Sequence, residues 1–211
     1  MLRVAVRLSP ATGRVGDYLA DVIALEAAGA DSVWLDATAA ASTEPWILFG
    51  AMAAVTHRVG LGVTVGASAG WRSAVDTLGR LTRGRVVVGM RPRGETRTLV
   101  EEVKNSSALP PSILLICTTN GEAERSALLA DGVIVAGGED DVRALRRKEG
   151  DLELWVDVSM PTDKAGWAHM MAALEAAGAT GIIVPWDPRL IDLLRSAGEP
   201  DDRTDLLIAT G

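Results

Sequence analysis

Two arginines on one short loop are the residues whose type and spacing point most directly to chemistry. Arg91 and Arg93 follow an apolar segment that ends at Met90, and they stand out because the chain is acidic, with a formal net charge of −7. The planar guanidinium forms paired hydrogen bonds that match phosphate geometry. We therefore predict that this loop binds a phosphorylated cofactor or an anionic substrate. The alternative is that both arginines are solvated and paired with acidic residues of the next segment: Glu95, Glu101 or Glu102.

Asp36 is the candidate acid or base. It ends Ser32–Asp36, a short apolar segment with the composition of a buried strand. A carboxylate at the end of a strand can exchange a proton with a ligand. It can equally cap the loop that follows, and the sequence leaves both interpretations open. His57 and His169 fall at the end of one helical segment and inside another, so neither histidine is expected at the end of a strand.

Other kinds of reactive site find little support. Cys117 has no histidine in its loop, so we expect a buried structural thiol. The chain contains neither the ligand spacing of a zinc site nor the G-x-S-x-G turn of a serine hydrolase, and no metal site is predicted.

Composition excludes several classes of protein. A chain of 211 residues suits one domain. Acidic residues outnumber basic ones by 28 to 21, which argues against nucleic-acid binding because phosphate contacts require clustered positive charge. No apolar run is long enough to span a membrane, and the segment after Met1 has no signal-peptide cleavage region. With a single cysteine, no internal disulfide can form, and we expect a cytoplasmic protein.

The stretch Thr56–Met90 indicates how the elements are arranged. Val59–Val65 and Arg85–Met90 are short apolar runs rich in β-branched residues, which is typical of buried strands. Between them, Trp71–Thr82 carries apolar residues at helical spacing, and we expect Leu81 to belong to its buried stripe. A helix that joins two buried strands predicts a parallel βαβ unit.

The same alternation continues along the chain and predicts an α/β fold, a compact (β/α)8 TIM barrel over residues 1–198 with a tail over 199–211. The expected strands are Arg3–Leu8, Ser32–Asp36, Val59–Val65, Arg85–Met90, Ser112–Cys117, Gly132–Ala136, Leu152–Ser159 and Gly181–Pro185. The heptapeptide at 24–30 recurs identically at 173–179, which indicates the same helix-to-strand corner built twice. An open doubly wound sheet is the alternative, but its glycine-rich candidate, 60–66, lies within a strand.

The second helix, Trp46–Thr56, predicts an assembly. It carries no charged residue and is apolar on all sides, whereas a barrel helix covers the sheet with one face only. We therefore predict a homodimer in which a second copy packs on this helix across a twofold axis. The alternative is that another element of the same chain covers the outer face.

In such a barrel the site lies at the carboxyl ends of the strands. The residues predicted there are Arg7, Ser9, Asp36, Thr64, Gly66, Gly89, Met90, Arg91, Arg93, Cys117, Thr118, Gly137, Gly138, Asp157, Ser159 and Trp186. From this set we predict one catalytic residue, Asp36. The predicted cofactor-binding residues are Ser9, Thr64, Gly66, Gly89, Arg91, Arg93, Gly137 and Trp186. Trp186 is suited to stacking on a planar ring, and packing at the rim is an equal alternative.

Several segments together resemble the bacterial luciferase-like monooxygenase family. Residues 26–36, EAAGADSVWLD, resemble its E-x-x-G-(F/Y/A)-D-S-(V/L)-W-(L/V)-x-D signature. Residues 56–62, THRVGLG, resemble its T-x-R-(I/V)-x-L-G strand, and 74–81 followed by GRVVVG at 84–89 resemble its next helix and strand. Residues 130–134, ADGVI, resemble its A-D-G-(V/I) strand. The resemblance spans most of residues 1–200.

The resemblance implies an oxidoreductase that uses FMN or the deazaflavin coenzyme on a small organic substrate, as a monooxygenase or a hydride-transferring reductase. It implies that the loop arginines hold phosphate, that the backbone of Thr64–Gly66 and Gly89 faces the cofactor ring, and that Asp36 is the acid or base. Relatives also commonly pair through the second helix and the next. One departure is that Ala37 follows this aspartate, where the family usually has histidine. The alternative is therefore a degenerate, non-catalytic barrel that binds flavin or no cofactor.

Overall fold

The structure is a computed structural model that describes residues 1–9, 14–38, 44–66, 70–148 and 150–198, so the predicted tail lies outside the described residues. Its strands are β1 (Arg3–Arg7), β2 (Ser32–Asp36), β3 (Gly60–Val65), β4 (Val86–Met90), β5 (Ser112–Cys117), β6 (Gly132–Ala136), β7 (Glu153–Asp157) and β8 (Gly181–Pro185). Its helices are α1 (Val15–Ala28), α2 (Pro45–Val55), α3 (Trp71–Thr82), α4 (Thr96–Ser106), α5 (Asn120–Ser126), α6 (Glu139–Lys148), α7 (Lys164–Ala177) and α8 (Leu190–Gly198).

The strands form a closed parallel barrel in chain order. Each strand pairs with the next, and β8 pairs with β1, where Arg3 lies opposite Gly181 and Arg7 opposite Pro185. The predicted (β/α)8 barrel is therefore confirmed. In the described ranges, no helix combines the length and the apolar character that a bilayer crossing requires.

Two tryptophans fill the inside of the barrel. Trp34 on β2 and Trp155 on β7 pack with small and branched side chains of other strands, including Ala5, Leu114 and Ile134. Each indole N–H donates to the side chain two residues earlier, Trp34 to Ser32 and Trp155 to Glu153, both at 2.9 Å. The two rings therefore have fixed positions in the barrel core.

Glycines at the paired positions of the neighbouring strands make room for these rings: Gly62 is the register partner of Trp34, and Gly181 that of Trp155. A Cβ at Gly62 would lie 2.2 Å from the Trp34 ring, and one at Gly181 would lie 2.5 Å from the Trp155 ring. Gly62 belongs to the glycine-rich segment that we assigned to a strand, and that assignment is confirmed. Gly62 therefore serves packing inside the barrel.

Helix-to-strand corners repeat, as the duplicated heptapeptide predicts. Gly29 and Gly178 end α1 and α7 with the same left-handed backbone, at φ 95° in both. Their N–H groups and those of the next residue return to carbonyls of the last helical turn. The same seven residues therefore build the same corner at both places.

The outward surface of α3 differs from its prediction. The buried residues of this helix are Trp71, Val75, Leu78, Gly79 and Thr82, whereas Leu81 is 60% exposed. Thr82 instead continues the inward stripe, and its hydroxyl donates to the carbonyl of Leu78 at 2.7 Å. Because successive helical residues differ by about 100°, Leu81 faces away from the barrel.

One face of α2 is buried and the other is not. Leu48, Phe49 and Met52 pack in the core, whereas Ile47 on the outer side is 71% exposed. Within the described part of the chain, no element covers Ile47. The alternative of a covering element from the same chain therefore finds no support among these residues.

Glu26 organises the loop at the opposite end of the barrel from the predicted site. Its carboxylate accepts the backbone N–H groups of His57, Arg58 and Val59 at 2.8, 2.5 and 2.9 Å, which orders the connection from α2 to β3. Burial opposes ionisation, but the three donors outweigh it and lower the pKa of Glu26 below its ordinary value.

Replacing Glu26 with glutamine should destabilise the protein by about 1–2 kcal/mol at neutral pH, because charge-assisted hydrogen bonds to three backbone groups are weakened. A lowered native pKa means that the carboxylate contributes stability above the ordinary glutamate pKa and loses it as the pH falls through the native value. The difference between wild type and variant in urea unfolding should therefore shrink in acid. The matched control is Glu175→Gln at the equivalent repeat position, where the carboxylate only pairs with the exposed amino terminus. An equal decrease in the free energy of unfolding in both variants would contradict the prediction.

Candidate functional site

A cavity of about 910 Å³ opens at the carboxyl ends of the strands, above β2 to β5 and between α3 and α4. Its wall contains five of the nine residues predicted to be catalytic or cofactor-binding: Asp36, Thr64, Gly66, Arg91 and Arg93. The apolar part of the wall is formed by Val65, Trp71, Met90, Leu99 and Ile116. The rest of the wall consists mainly of charged residues and threonines, and a concave cavity that combines an apolar patch with polar groups is typical of a small-molecule site.

The rim carries the two loop arginines. Arg91 and Arg93 are exposed, and within the described residues neither forms an ion pair. Of the acidic partners considered for them, Glu102 pairs instead with Arg72 at 2.9 Å. The loop itself is held in place, because the Arg93 N–H donates to the Thr96 hydroxyl at 2.6 Å. Both guanidinium groups are thus available to a ligand.

Two helices begin at the same rim. The first residues of α3, Trp71 and Arg72, and of α4, Thr96 and Thr98, line the cavity. Neither helix has a side-chain cap or an acidic residue in its first turn, although the residue before α4, Glu95, also lines the cavity. The exposed N–H groups and positive dipole end of a helix favour anions. They act in the same direction as the two arginines.

On the floor of the cavity, an ion pair joins β1 to β7 across the single strand that lies between them, β8. Arg7 on β1 donates from both terminal nitrogens to the two oxygens of Asp157 on β7, at 2.6 and 2.8 Å. Both residues line the cavity. The hydrogen bond to Asp157 raises the pKa of Arg7 above its ordinary value, and the charges of Asp157 and Asp36 add to this, so the guanidinium stays charged.

Asp36 both caps its loop and lines the cavity. Its Oδ1 accepts the backbone N–H of Thr38 at 2.8 Å and the Thr38 hydroxyl at 2.6 Å. The capping interpretation is therefore correct, and it does not exclude the other, since the residue also lines the cavity. The cap fixes the carboxylate toward the space above the barrel core.

The other predicted residues lie elsewhere. Gly89 lies below the cavity, where a Cβ would meet the Trp34 ring at 2.8 Å. Gly137 packs against the side chain of Asp141 at the start of α6, and Trp186 packs on the core while its backbone N–H donates to the Arg7 carbonyl. Ser9 is exposed, and its carbonyl accepts from the Tyr18 hydroxyl at 3.2 Å. These four residues do not line the described cavity.

Two features outside the cavity agree with the sequence analysis. Cys117 is buried, and burial raises the pKa of its thiol to about 11, so it remains protonated as a structural thiol does. His57 and His169 are exposed, and neither lines the cavity. The described site therefore has no histidine.

Arg7 and Asp157 were predicted at strand ends, but no role was predicted for either. Their partnership joins residues 150 positions apart, so no local pattern indicates it. One signal could have suggested the pair: two otherwise buried strands each end in a charged residue, and the two charges are opposite. Arg72 and Thr98 lie in helical turns, where nothing in the sequence distinguishes them from surface residues.

Comparison with known proteins identifies the fold. No family model matches the sequence, and no curated protein matches it. Among solved structures, the coenzyme F420-dependent tetrahydromethanopterin reductase of Methanopyrus kandleri superposes with a TM-score of 0.71 at 10% identity, covering 94% of this chain and 97% of that one. This chain has the fold of that reductase. An F420-dependent secondary alcohol dehydrogenase in complex with an F420–acetone adduct gives 0.68 at 13% identity, covering 92% and 97%.

A further similar structure is a riboflavin lyase with modified FMN and riboflavin, with a TM-score of 0.59 at 13% identity, covering 83% of this chain and 67% of that one. Identities this low show a shared barrel rather than a shared activity. They agree with the family resemblance that the sequence motifs indicate.

Proposed function

We propose that this protein is a luciferase-like oxidoreductase that binds FMN or the deazaflavin coenzyme F420 in the barrel mouth and acts on a small organic substrate. The observation that carries the proposal is the rim of the cavity, where Arg91, Arg93 and the starts of two helices surround an opening above an apolar wall. Structures with the same fold contain F420 or FMN. A cytoplasmic location is part of the proposal, since the free buried Cys117 suits a reducing compartment.

The residues present fit such a cofactor. Arg91, Arg93 and the N–H groups at the starts of α3 and α4 would hold its phosphate, and the backbone of Thr64–Gly66 lines the same space. When bound, the cofactor supplies hydride or oxygen chemistry. The chain's own residues position the substrate against the apolar wall, exclude water, and hold or accept a proton at the Asp36 carboxylate.

The alternative is a barrel that binds flavin, or no cofactor, without turnover. The absence of histidine from the described site favours it, because no imidazole is present to exchange protons. Both proposals concern the same cavity: in the first a bound cofactor reacts there with a substrate, and in the second no reaction takes place.

The first test is a fluorescence titration of the purified chain with FMN and, separately, with F420. Binding of one of them in the micromolar range is the expected result, and its identity selects the cofactor. If neither binds at concentrations far above this range, the cofactor proposal is wrong. If one binds but its reduced form reacts with neither oxygen nor a substrate panel, the non-catalytic alternative is correct.

We also propose that the protein is a homodimer that pairs through α2, the apolar helix predicted over Trp46–Thr56. The proposal is supported by the exposed outer side of a helix without a charged residue, on which Ile47 is 71% exposed. Burying such a side chain gains roughly 1.5–3 kcal/mol. A contact across a twofold axis would bury the Ile47 side chains of both subunits at once.

Ile47→Glu should convert this dimer to a monomer, because each interface would bury two uncompensated charges. Light scattering coupled to size-exclusion chromatography measures the result. Leu128→Glu is the matched control, since Leu128 is 82% exposed but lies after α5, away from α2, and it should remain dimeric. A monomeric wild-type protein would refute the proposal outright.

A further inference from the structure

The barrel contains the same kind of ion pair at both ends of one pair of strands. At the amino ends of β1 and β7, Arg3 pairs with Glu153 at 2.5 Å. At the carboxyl ends, Arg7 pairs with Asp157 at 2.6 Å. Both pairs pass over β8, which lies between these strands. One function of both pairs is therefore to tie β1 to β7.

The two pairs differ in what surrounds them. The guanidinium of Arg3 stacks on the Trp155 ring, 4.8 Å from its centroid, and closes the bottom of the barrel. Arg7 and Asp157 instead lie on the floor of the 910 Å³ cavity, with the side chain of Arg7 41% exposed. Because Arg7 and Asp157 are partly exposed and line the cavity, they are placed to contact a ligand as well as to join the two strands.

The formal charge of the cavity differs between its floor and its rim. The floor contains one guanidinium, Arg7, and two carboxylates, Asp157 and Asp36, so its formal charge is −1. Asp36 lies on β2, two residues after Trp34, the register partner of Arg7. The rim carries Arg72, Arg91 and Arg93 against Glu95 and Glu102, so its formal charge is +1, and it also contains the starts of two helices. An anionic group is thus favoured at the rim and disfavoured at the floor.

We propose that Arg7, oriented by Asp157, forms with Asp36 a subsite on the cavity floor that binds the hydroxyl group of a neutral alcohol. A hydroxyl both donates and accepts hydrogen bonds, so Arg7 can donate to its oxygen while a carboxylate accepts its proton. A carboxylate ligand would be repelled by the negative floor. The apolar wall above, with Met90, Leu99 and Ile116, suits a hydrocarbon body.

This inference rests on the proposed function for the ligand at the rim, and it names the substrate class for the same cavity. Arg7 would contact the substrate, and Asp157 would act as a positioning residue. The subsite itself requires no bound cofactor, so it can be measured in the cofactor-free protein.

The test uses two probes with one carbon skeleton, cyclohexanol and cyclohexanecarboxylate, measured with the cofactor-free protein by saturation-transfer NMR. Wild type should bind cyclohexanol and discriminate against the carboxylate by at least tenfold. Arg7→Gln should weaken cyclohexanol binding about tenfold. The double variant Asp36→Asn with Asp157→Asn makes the floor formally +1 and should reverse the preference in favour of the carboxylate. If the Arg7–Asp157 pair were purely structural, Arg7→Gln would leave the affinity for cyclohexanol unchanged.

Arg3→Gln and Glu153→Gln, at the other end of the same strands, are the matched controls and should leave both affinities unchanged. The proposal is overturned if wild type fails to bind cyclohexanol, prefers the carboxylate, or keeps its preference in the charge-reversed floor. Failure of the cofactor titration with a preserved cyclohexanol preference would refute the proposed function alone. A bound cofactor with unaltered probe selectivity in the variants would refute the subsite alone.

Discussion

Replacing Gly62 with alanine is expected to destabilise the barrel by about 3 kcal/mol or more, at the upper end of what overpacking costs. The added methyl carbon would lie 2.2 Å from two ring carbons of Trp34. The ring has little freedom to move, because it is 3% exposed, packs inside the barrel and is hydrogen-bonded through its N–H to Ser32. Either β3 must shift or the indole must leave its place in the core.

Urea unfolding followed by circular dichroism measures this loss. Gly16→Ala is the matched control, because nothing lies within 4 Å of the added atom in the first turn of α1; it should be neutral or slightly stabilising. Combining Gly62→Ala with Trp34→Leu should cost less than the sum of the two single changes, since the smaller side chain relieves the clash. An additive result, or a loss below about 1 kcal/mol in the single variant, would show that Trp34 is not fixed as described.

The second large effect is expected on cofactor binding. Changing Arg91 and Arg93 together to alanine should weaken the affinity for FMN or F420 by on the order of 10–100-fold, because two charge-assisted contacts to phosphate are lost. Both side chains lie at the cavity rim and neither has an ion-pair partner among the described residues. Their removal therefore breaks no described ion pair, and stability should change little.

The fluorescence titration described above measures the affinity. Arg97→Ala is the control: this exposed arginine is on the same helix start, but it does not line the cavity. The affinity of the Arg97→Ala variant for the cofactor should fall by no more than a few-fold. Raising the salt concentration should weaken wild-type binding more than binding to the double variant. Equal affinities in the wild type, the double variant and the Arg97→Ala variant would show that the phosphate binds elsewhere.

Half of the candidate site was predictable from the strand ends. Asp36, Thr64, Gly66, Arg91 and Arg93 line the cavity because they end β2, β3 and β4 or follow directly. The position of a residue near the end of a strand does not by itself show how deep the residue lies in the barrel. For this reason Gly89 was expected at the cavity but does not line it. That depth depends on the Trp34 ring, which comes from another strand and fills the space beside Gly89.

Local patterns in the sequence determined the order of strands and helices, the closed α/β barrel and the two identical corners at Gly29 and Gly178. Each of these depends on residues close together in the chain, where hydrophobic period and glycine conformation decide the outcome. The tertiary structure alone decided which distant residues meet. It brings Arg7 to Asp157 across 150 positions and fits Trp34 onto Gly62, because barrel closure sets the register between strands that share no local sequence signal.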